Sequence, residues 1–302
     1  MSDTPRPSTS PSDEAVSPES TVRAEVADGV ATVFLHRPHR NNAWTARMRG
    51  DYRTVMAELE HRSDVRCVVV TGTGRHFCVG GDSDALSAHA DAGGYEVERP
   101  EGEPSPGGGD RLDADFAWQL GYRLPIVAAV NGGCAGVGFA LALFCDLRFV
   151  AADAKCTTAA PRLGLPAEYG MSWILPRLIG VARSNDLLLS GRTVTGAETA
   201  DWGLWNEVCP DAGTTIERAI DWATTIATTT GPEAVATTKR QIIDDLLRHH
   251  PQASIDDSIR LLDEAMATAE YREGIAAFLE RRPPRFGAAG ADASPDGPAT
   301  DE

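Results

Sequence analysis

The chain holds 302 residues, with 28 Lys and Arg against 44 Asp and Glu, a formal net charge of −16. That balance argues against nucleic acid or an anionic membrane as partner, and an anionic ligand would need a local cluster of Arg or Lys. Apolar residues at 42% and charged residues at 24% fit a soluble globular chain long enough to bury a sizeable core.

The apolar runs at 125–130 and 138–145 are far shorter than the roughly 20 residues of a membrane helix. Residues 1–20 carry one basic residue and no hydrophobic segment, which is not a secretory pattern. A cytoplasmic protein is expected. The six cysteines, Cys67, Cys78, Cys134, Cys145, Cys156 and Cys209, form no CxxC pair and read as reduced core residues. The seven histidines show no metal-ligand spacing, so no metal site is expected.

Composition divides the chain. Residues 1–20 and 287–302 are too polar to offset their ordering entropy and are expected to be disordered tails. Residues 90–110, rich in Gly and Pro, read as a flexible insertion beside the site within a core of residues 21–210. In chain order, 21–26 and 30–35 are strand-like runs joined by the hairpin signal Asp28-Gly29. Helical spacing marks 45–61, and 66–71 is a short apolar strand. Residues 83–90 and 113–123 are expected to be helical, 125–130 to be a buried strand, 139–144 a buried helix and 147–151 a third strand. Beyond Gly170 helices are expected over 172–178, 183–189, 197–202, 215–230, 232–248, 254–268 and 272–280, the last ones forming a helical region at 211–286. Strands crossing over through helices give an α/β or α+β fold.

Two loops carry the chemistry. The run Phe77-Cys78-Val79-Gly80-Gly81-Asp82-Ser83 follows the strand at 66–71. Paired glycines let backbone approach a ligand with no Cβ in the way. Asn131-Gly132-Gly133-Cys134-Ala135-Gly136-Val137-Gly138 lies between a buried strand and a helix. Its glycines are in the wrong register for a dinucleotide fingerprint, and the Walker lysine is absent. The first loop alone could be a tight strand-to-helix turn; together the two could supply one N–H each to the same carbonyl oxygen as it becomes an oxyanion.

These two runs, together with Pro125–Val130 before the second and Phe139–Ala152 after it, resemble the enoyl-CoA hydratase/isomerase (crotonase) superfamily. Residues 36–43, 187–208 and 273–286 agree in the same order, so the resemblance covers roughly 20–286. It implies a crotonase-like spiral of ββα units, a C-terminal helical region used for trimerisation, and a homotrimer or hexamer. The implied ligand is an acyl-CoA thioester, with coenzyme A as part of the substrate and no further cofactor.

Carried over position by position, the resemblance puts the oxyanion-hole amides on Gly81 and Val137, with valine where glycine is usual. Asp82, Ser83 and Asp84 continue the substrate-lining stretch, and Arg37, with Arg40, matches positions near the CoA phosphates, where a solvated surface charge is the alternative. The two glutamates that add water in hydratases fall on Ala140 and Ala160, neither of which can move a proton. Glu168 matches the glutamate of Δ3,Δ2-enoyl-CoA isomerases, although Pro166 lies one place earlier than in that pattern. The expected chemistry is therefore proton transfer by a single base. The alternatives are hydration or another enolate reaction, such as decarboxylation or C–C hydrolysis, and a non-catalytic acyl-CoA-binding role.

Overall fold

The computed structural model of the protein describes residues 20–85, 102–107, 112–247 and 251–286. The expected tails, most of the 90–110 insertion and most of the expected helix at 83–90 lie outside them. Strands β1 (Val22–Ala27) and β2 (Val30–Leu35) pair antiparallel across Asp28 and Gly29. Both turn residues have positive φ, 52° and 79°, the conformation a two-residue hairpin needs. Helix α1 (Ala46–Glu60) starts at Thr45, whose hydroxyl accepts from the Met48 amide at 3.1 Å.

Strands β3 (Cys67–Gly72), β4 (Ile126–Val130), β6 (Leu147–Ala151) and β9 (Glu207–Cys209) continue the sheet in parallel, in the order β1-β2-β3-β4-β6-β9. Every residue of β3 and β4 is buried, because the sheet is covered on both faces. On one face lies α5 (Ala212–Thr229), whose Ala219, Ala223 and Ala227 pack against Val69, Val127 and Phe149. The other face packs against Met48, Tyr52 and Met56 of α1 and Phe139 and Leu141 of α3 (Val137–Leu143). A second sheet joins β5 (Cys134–Ala135), β7 (Lys155–Thr157) and β8 (Val194–Thr195).

Two expectations are corrected. The segment 113–123 holds only a short helix, α2 (Trp118–Gly121), preceded by turns. Asp113 and Asp115, which could have capped a longer helix, instead reach across to arginines of α1. Residues 197–202 form turns, with the Thr199 hydroxyl donating to the Thr195 carbonyl at 2.9 Å. The two helices expected at 172–178 and 183–189 are both present within α4 (Met171–Ser190), which breaks between them at Gly180, where φ is 74° and ψ is 164°.

The chain closes with α6 (Pro232–Leu246), α7 (Pro251–Met266) and α8 (Ala269–Glu280). Their outer faces expose Ile242, Ile259, Leu262, Phe278 and Leu279. Among the described residues no helix is long and apolar enough to cross a membrane.

Candidate active site

Strands β3 and β4 lie side by side in parallel, with Thr71 beside Ala129, so both glycine loops leave the sheet at the same edge. Ligands of parallel sheets bind outside such carboxyl ends. Two asparagines lock the loops. The Asn131 side-chain amide donates to the carbonyls of Gly72 at 2.9 Å and Gly74 at 3.0 Å, and its oxygen accepts from the Gly72 amide at 3.3 Å. From the other side, Asn42 donates to the carbonyls of Thr73 and His76 at 3.0 and 2.7 Å.

The loops are also bonded directly to each other. The Cys78 amide donates to the Gly133 carbonyl at 3.1 Å, and the Ala135 amide to the Cys78 carbonyl at 2.9 Å. Gly138 permits this approach: a Cβ there would lie 2.4 Å from the Cys78 carbonyl oxygen.

Within this frame the amides of Gly81 and Val137 stand apart. Trp44 brackets Gly81, donating to the Gly80 carbonyl at 2.8 Å and accepting from the Asp82 amide at 2.9 Å, which leaves the N–H of Gly81 outside the pairing. Val137 is the first residue of α3, where an amide has no intrahelical acceptor. Gly136 just before it takes φ 49° and ψ −119°, a conformation open to glycine and strained for other residues. Among the described residues neither amide donates to a carbonyl. The Val137 side chain is buried.

Asp82, Ser83, Asp84 and Arg37 are brought together by an ionic lock. Arg37 Nη1 lies 3.0 Å from Asp82 Oδ2 and also donates to the Ala43 carbonyl. Arg40 Nη2 reaches Asp82 at 2.8 Å, Asp84 at 3.0 Å and the Ser83 hydroxyl at 3.3 Å. The hydrogen bond from Arg40 is the main reason that the Asp82 carboxyl is held down at about 2, aided by the Asp84 amide and Arg37. The lock staples the early turn at 37–43 to the first glycine loop. The role of Arg40, Asn42 and Asn131 in fixing the loops is not legible as a motif; the only signal is an Asn at a strand end before a Gly pair and another in a turn after proline.

Glu168 precedes α4, and its carbonyl accepts from the Met171 amide at 2.9 Å. Its side chain is half-buried, and burial raises its pKa above the ordinary glutamate value. An aromatic chain connects it to the first loop. The Tyr169 ring meets Phe116 at 5.8 Å, and Phe116 meets Trp44 at 5.4 Å, both edge to face. Ala140 and Ala160, 0% and 1% exposed, leave no carboxylate at either position.

Asp146, by contrast, is structural. It accepts from the Ile126 amide at 2.7 Å and pairs with buried Lys239 at 2.7 Å.

Comparison with known proteins decides the family. The family model described as enoyl-CoA hydratase/isomerase matches residues 25–289. The chain belongs to the enoyl-CoA hydratase/isomerase family. It is 32% identical over 260 residues to an enoyl-CoA hydratase of Alternaria alternata, covering 86% of this chain and 83% of that one. It is 30% identical over 275 residues to 1,2-epoxyphenylacetyl-CoA isomerase of Escherichia coli, covering 88% and 97%. The crystal structure of an enoyl-CoA hydratase from Mycobacterium tuberculosis superposes with a TM-score of 0.76 at 28% identity, covering 89% of this chain and all of that one. The fold is thus that of the crotonase family, and the protein is an enzyme of the hydratase/isomerase family.

Proposed function

We propose that the protein isomerises an enoyl-CoA thioester by proton transfer, using Glu168 as its single base. The observation that carries this reading is the combination of two unengaged amides, Gly81 and Val137, with one desolvated carboxylate and alanine at both 140 and 160. The thioester carbonyl would accept from both amides. Glu168 would remove a proton from C2, the oxyanion hole would hold the dienolate oxygen, and the same carboxyl would return the proton at C4. Losing one donor of such a hole typically costs about 2.7–4 kcal/mol of transition-state stabilisation. A carboxylate with a raised pKa is a stronger base toward such an acidified proton. Hydration, the reaction named for several relatives, needs a group to deliver water, and alanine supplies none at these positions.

Arg37, Asp82, Ser83 and Asp84 would form the rim on the CoA side, held in shape by Arg40. The exposed apolar faces of α6, α7 and α8 support assembly as a homotrimer or hexamer, which sedimentation equilibrium would measure. The test of the reaction is conversion of 3-enoyl-CoA to 2-enoyl-CoA, followed by absorbance and by deuterium exchange at C2. If Glu168→Gln retains full isomerase activity and full exchange, the assignment of the base is wrong.

A further inference from the structure

Outside the glycine loops, the described residues hold one other dense, buried assembly of charge. Arg49 and Arg53, one turn apart on α1, face Glu103, Asp113 and Asp115 across the fold. Arg49 Nη2 lies 3.1 Å from Glu103 Oε2, and Arg53 Nε lies 3.4 Å from the same oxygen. The side chains of Arg53 and Glu103 are 2% and 3% exposed. Arg53 also donates to the Pro104 carbonyl at 2.8 Å and to Asp113, and its guanidinium lies 5.8 Å from the centre of the Trp118 ring.

Burying a guanidinium and a carboxylate costs several kcal/mol that their attraction only partly offsets, so such a network is a weak explanation for stability alone. What it does in space is specific. Glu103 and Asp113 lie ten residues apart in the sequence, and Arg53 grips both. Three residues after Asp113 stands Phe116, 4% exposed, the ring that touches Trp44 on one side and Tyr169 on the other. Trp44 brackets Gly81, and Tyr169 follows Glu168. Phe116 is therefore the spacer between the element carrying one amide donor and the element carrying the carboxylate.

We infer that Arg53 is a positioning residue: through Glu103 and Asp113 it sets Phe116 as the wall against which the acyl group of the thioester packs, between Gly81 and Glu168. This inference rests on the acyl-thioester reading above. Arg53 touches no reacting atom. Methionine would replace the aliphatic stem of Arg53 on α1, but would release Glu103 and also Asp113, on the segment that carries Phe116. The acyl portion of the ligand would lose its wall, and the CoA portion would not.

The experiment compares the affinities of CoA and of a non-reactive hexyl-CoA thioether, measured by titration calorimetry. The variants are Arg53→Met, Glu103→Gln, Phe116→Ala and the double variant Arg53→Met with Phe116→Ala. In the wild type the thioether is expected to bind at least tenfold more tightly than CoA. Arg53→Met and Phe116→Ala should each erase most of that ratio while leaving the affinity for CoA within twofold. The double variant should be no worse than Phe116→Ala alone, because the two residues act in series. Glu103→Gln, which keeps the shape and removes the charge, should show the same loss in milder form and covers the case in which Arg53→Met does not fold. A ratio unchanged in Arg53→Met, or in Glu103→Gln when Arg53→Met does not fold, overturns the inference. So do additive losses in the double variant, or a wild type that binds CoA and thioether equally. A wild type that binds neither ligand overturns instead the acyl-thioester reading on which it stands.

Discussion

Trp44 and Gly81 are bridge partners, and the indole of Trp44 is anchored in turn by Tyr52 at 5.9 Å and Phe116 at 5.4 Å. A backbone amide in the site thus depends on a ring packed in the core. Trp44→Ala should cost about 3–5 kcal/mol in urea unfolding, as large-to-small core changes do. It should also lower kcat by more than Trp44→Phe, which keeps an edge contact to both neighbours. Equal kcat in the two variants would disconnect the ring from the loop.

The raised pKa of Glu168 has two opposite consequences. As a base it works only when ionised, so kcat/KM should rise with pH along a limb lying above the ordinary glutamate value of about 4.3. For stability, a carboxyl whose folded pKa is raised contributes fully below its unfolded pKa, and that contribution is lost as pH rises through the folded pKa. Above it the half-buried carboxylate is a burden. Glu168→Gln should therefore melt higher than the wild type at pH 8 while losing about 10²–10⁴ in isomerase rate.

Asp82 has the opposite sign. Its carboxyl is held at about 2 by Arg40 first, so its contribution is present above an unfolded pKa of about 3.9 and is lost as pH falls through about 2. Asp82→Asn should flatten the acid limb of the stability curve over that window. At pH 7 it should cost less than the ~3–5 kcal/mol of a fully buried pair, because Arg40 is 38% exposed.

Gly138→Ala tests the contact between the loops. The new Cβ would meet the Cys78 carbonyl oxygen at 2.4 Å and Cβ at 2.6 Å, both on or next to backbone, so the first loop or the start of α3 must shift. A loss of about 1–3 kcal/mol is expected from overpacking, with a larger relative loss in kcat than in KM. Retained activity with lowered stability would mean that the loops tolerate the shift.

The sheet and both glycine loops are legible in the sequence because their signals are local: apolar runs such as 126–130 ending at glycines. Strands β5, β7, β8 and β9, two or three residues long, are not legible, since each exists only through its partner. Helix α3 begins at Val137, two residues before its expected start, because Gly138 reads as a breaker yet is needed for its closeness to Cys78. The chemistry of the site divides in the same way. Gly81, Val137 and Glu168 stand out by pattern and resemblance. Arg37, which could be a solvated charge, proves to be tied to Asp82, and the lock through Arg40 spans more than forty residues of sequence. No periodicity points to Arg53 and Glu103 as a pair.

Cys78, Cys134 and Cys156 lie in a row across the two loops and β7, each fully buried and each beside the next in strand register. Burial pushes the Cys78 thiol up to about 12 and that of Cys134 well above its usual value, so these groups are inert while the loops stay closed. A thiol reagent can reach them only in molecules whose loops have separated. Labelling followed over time at neutral pH thus acts as a stopwatch on the opening of the site. A thioester bridging Gly81 and Val137 would hold the two loops together and slow it.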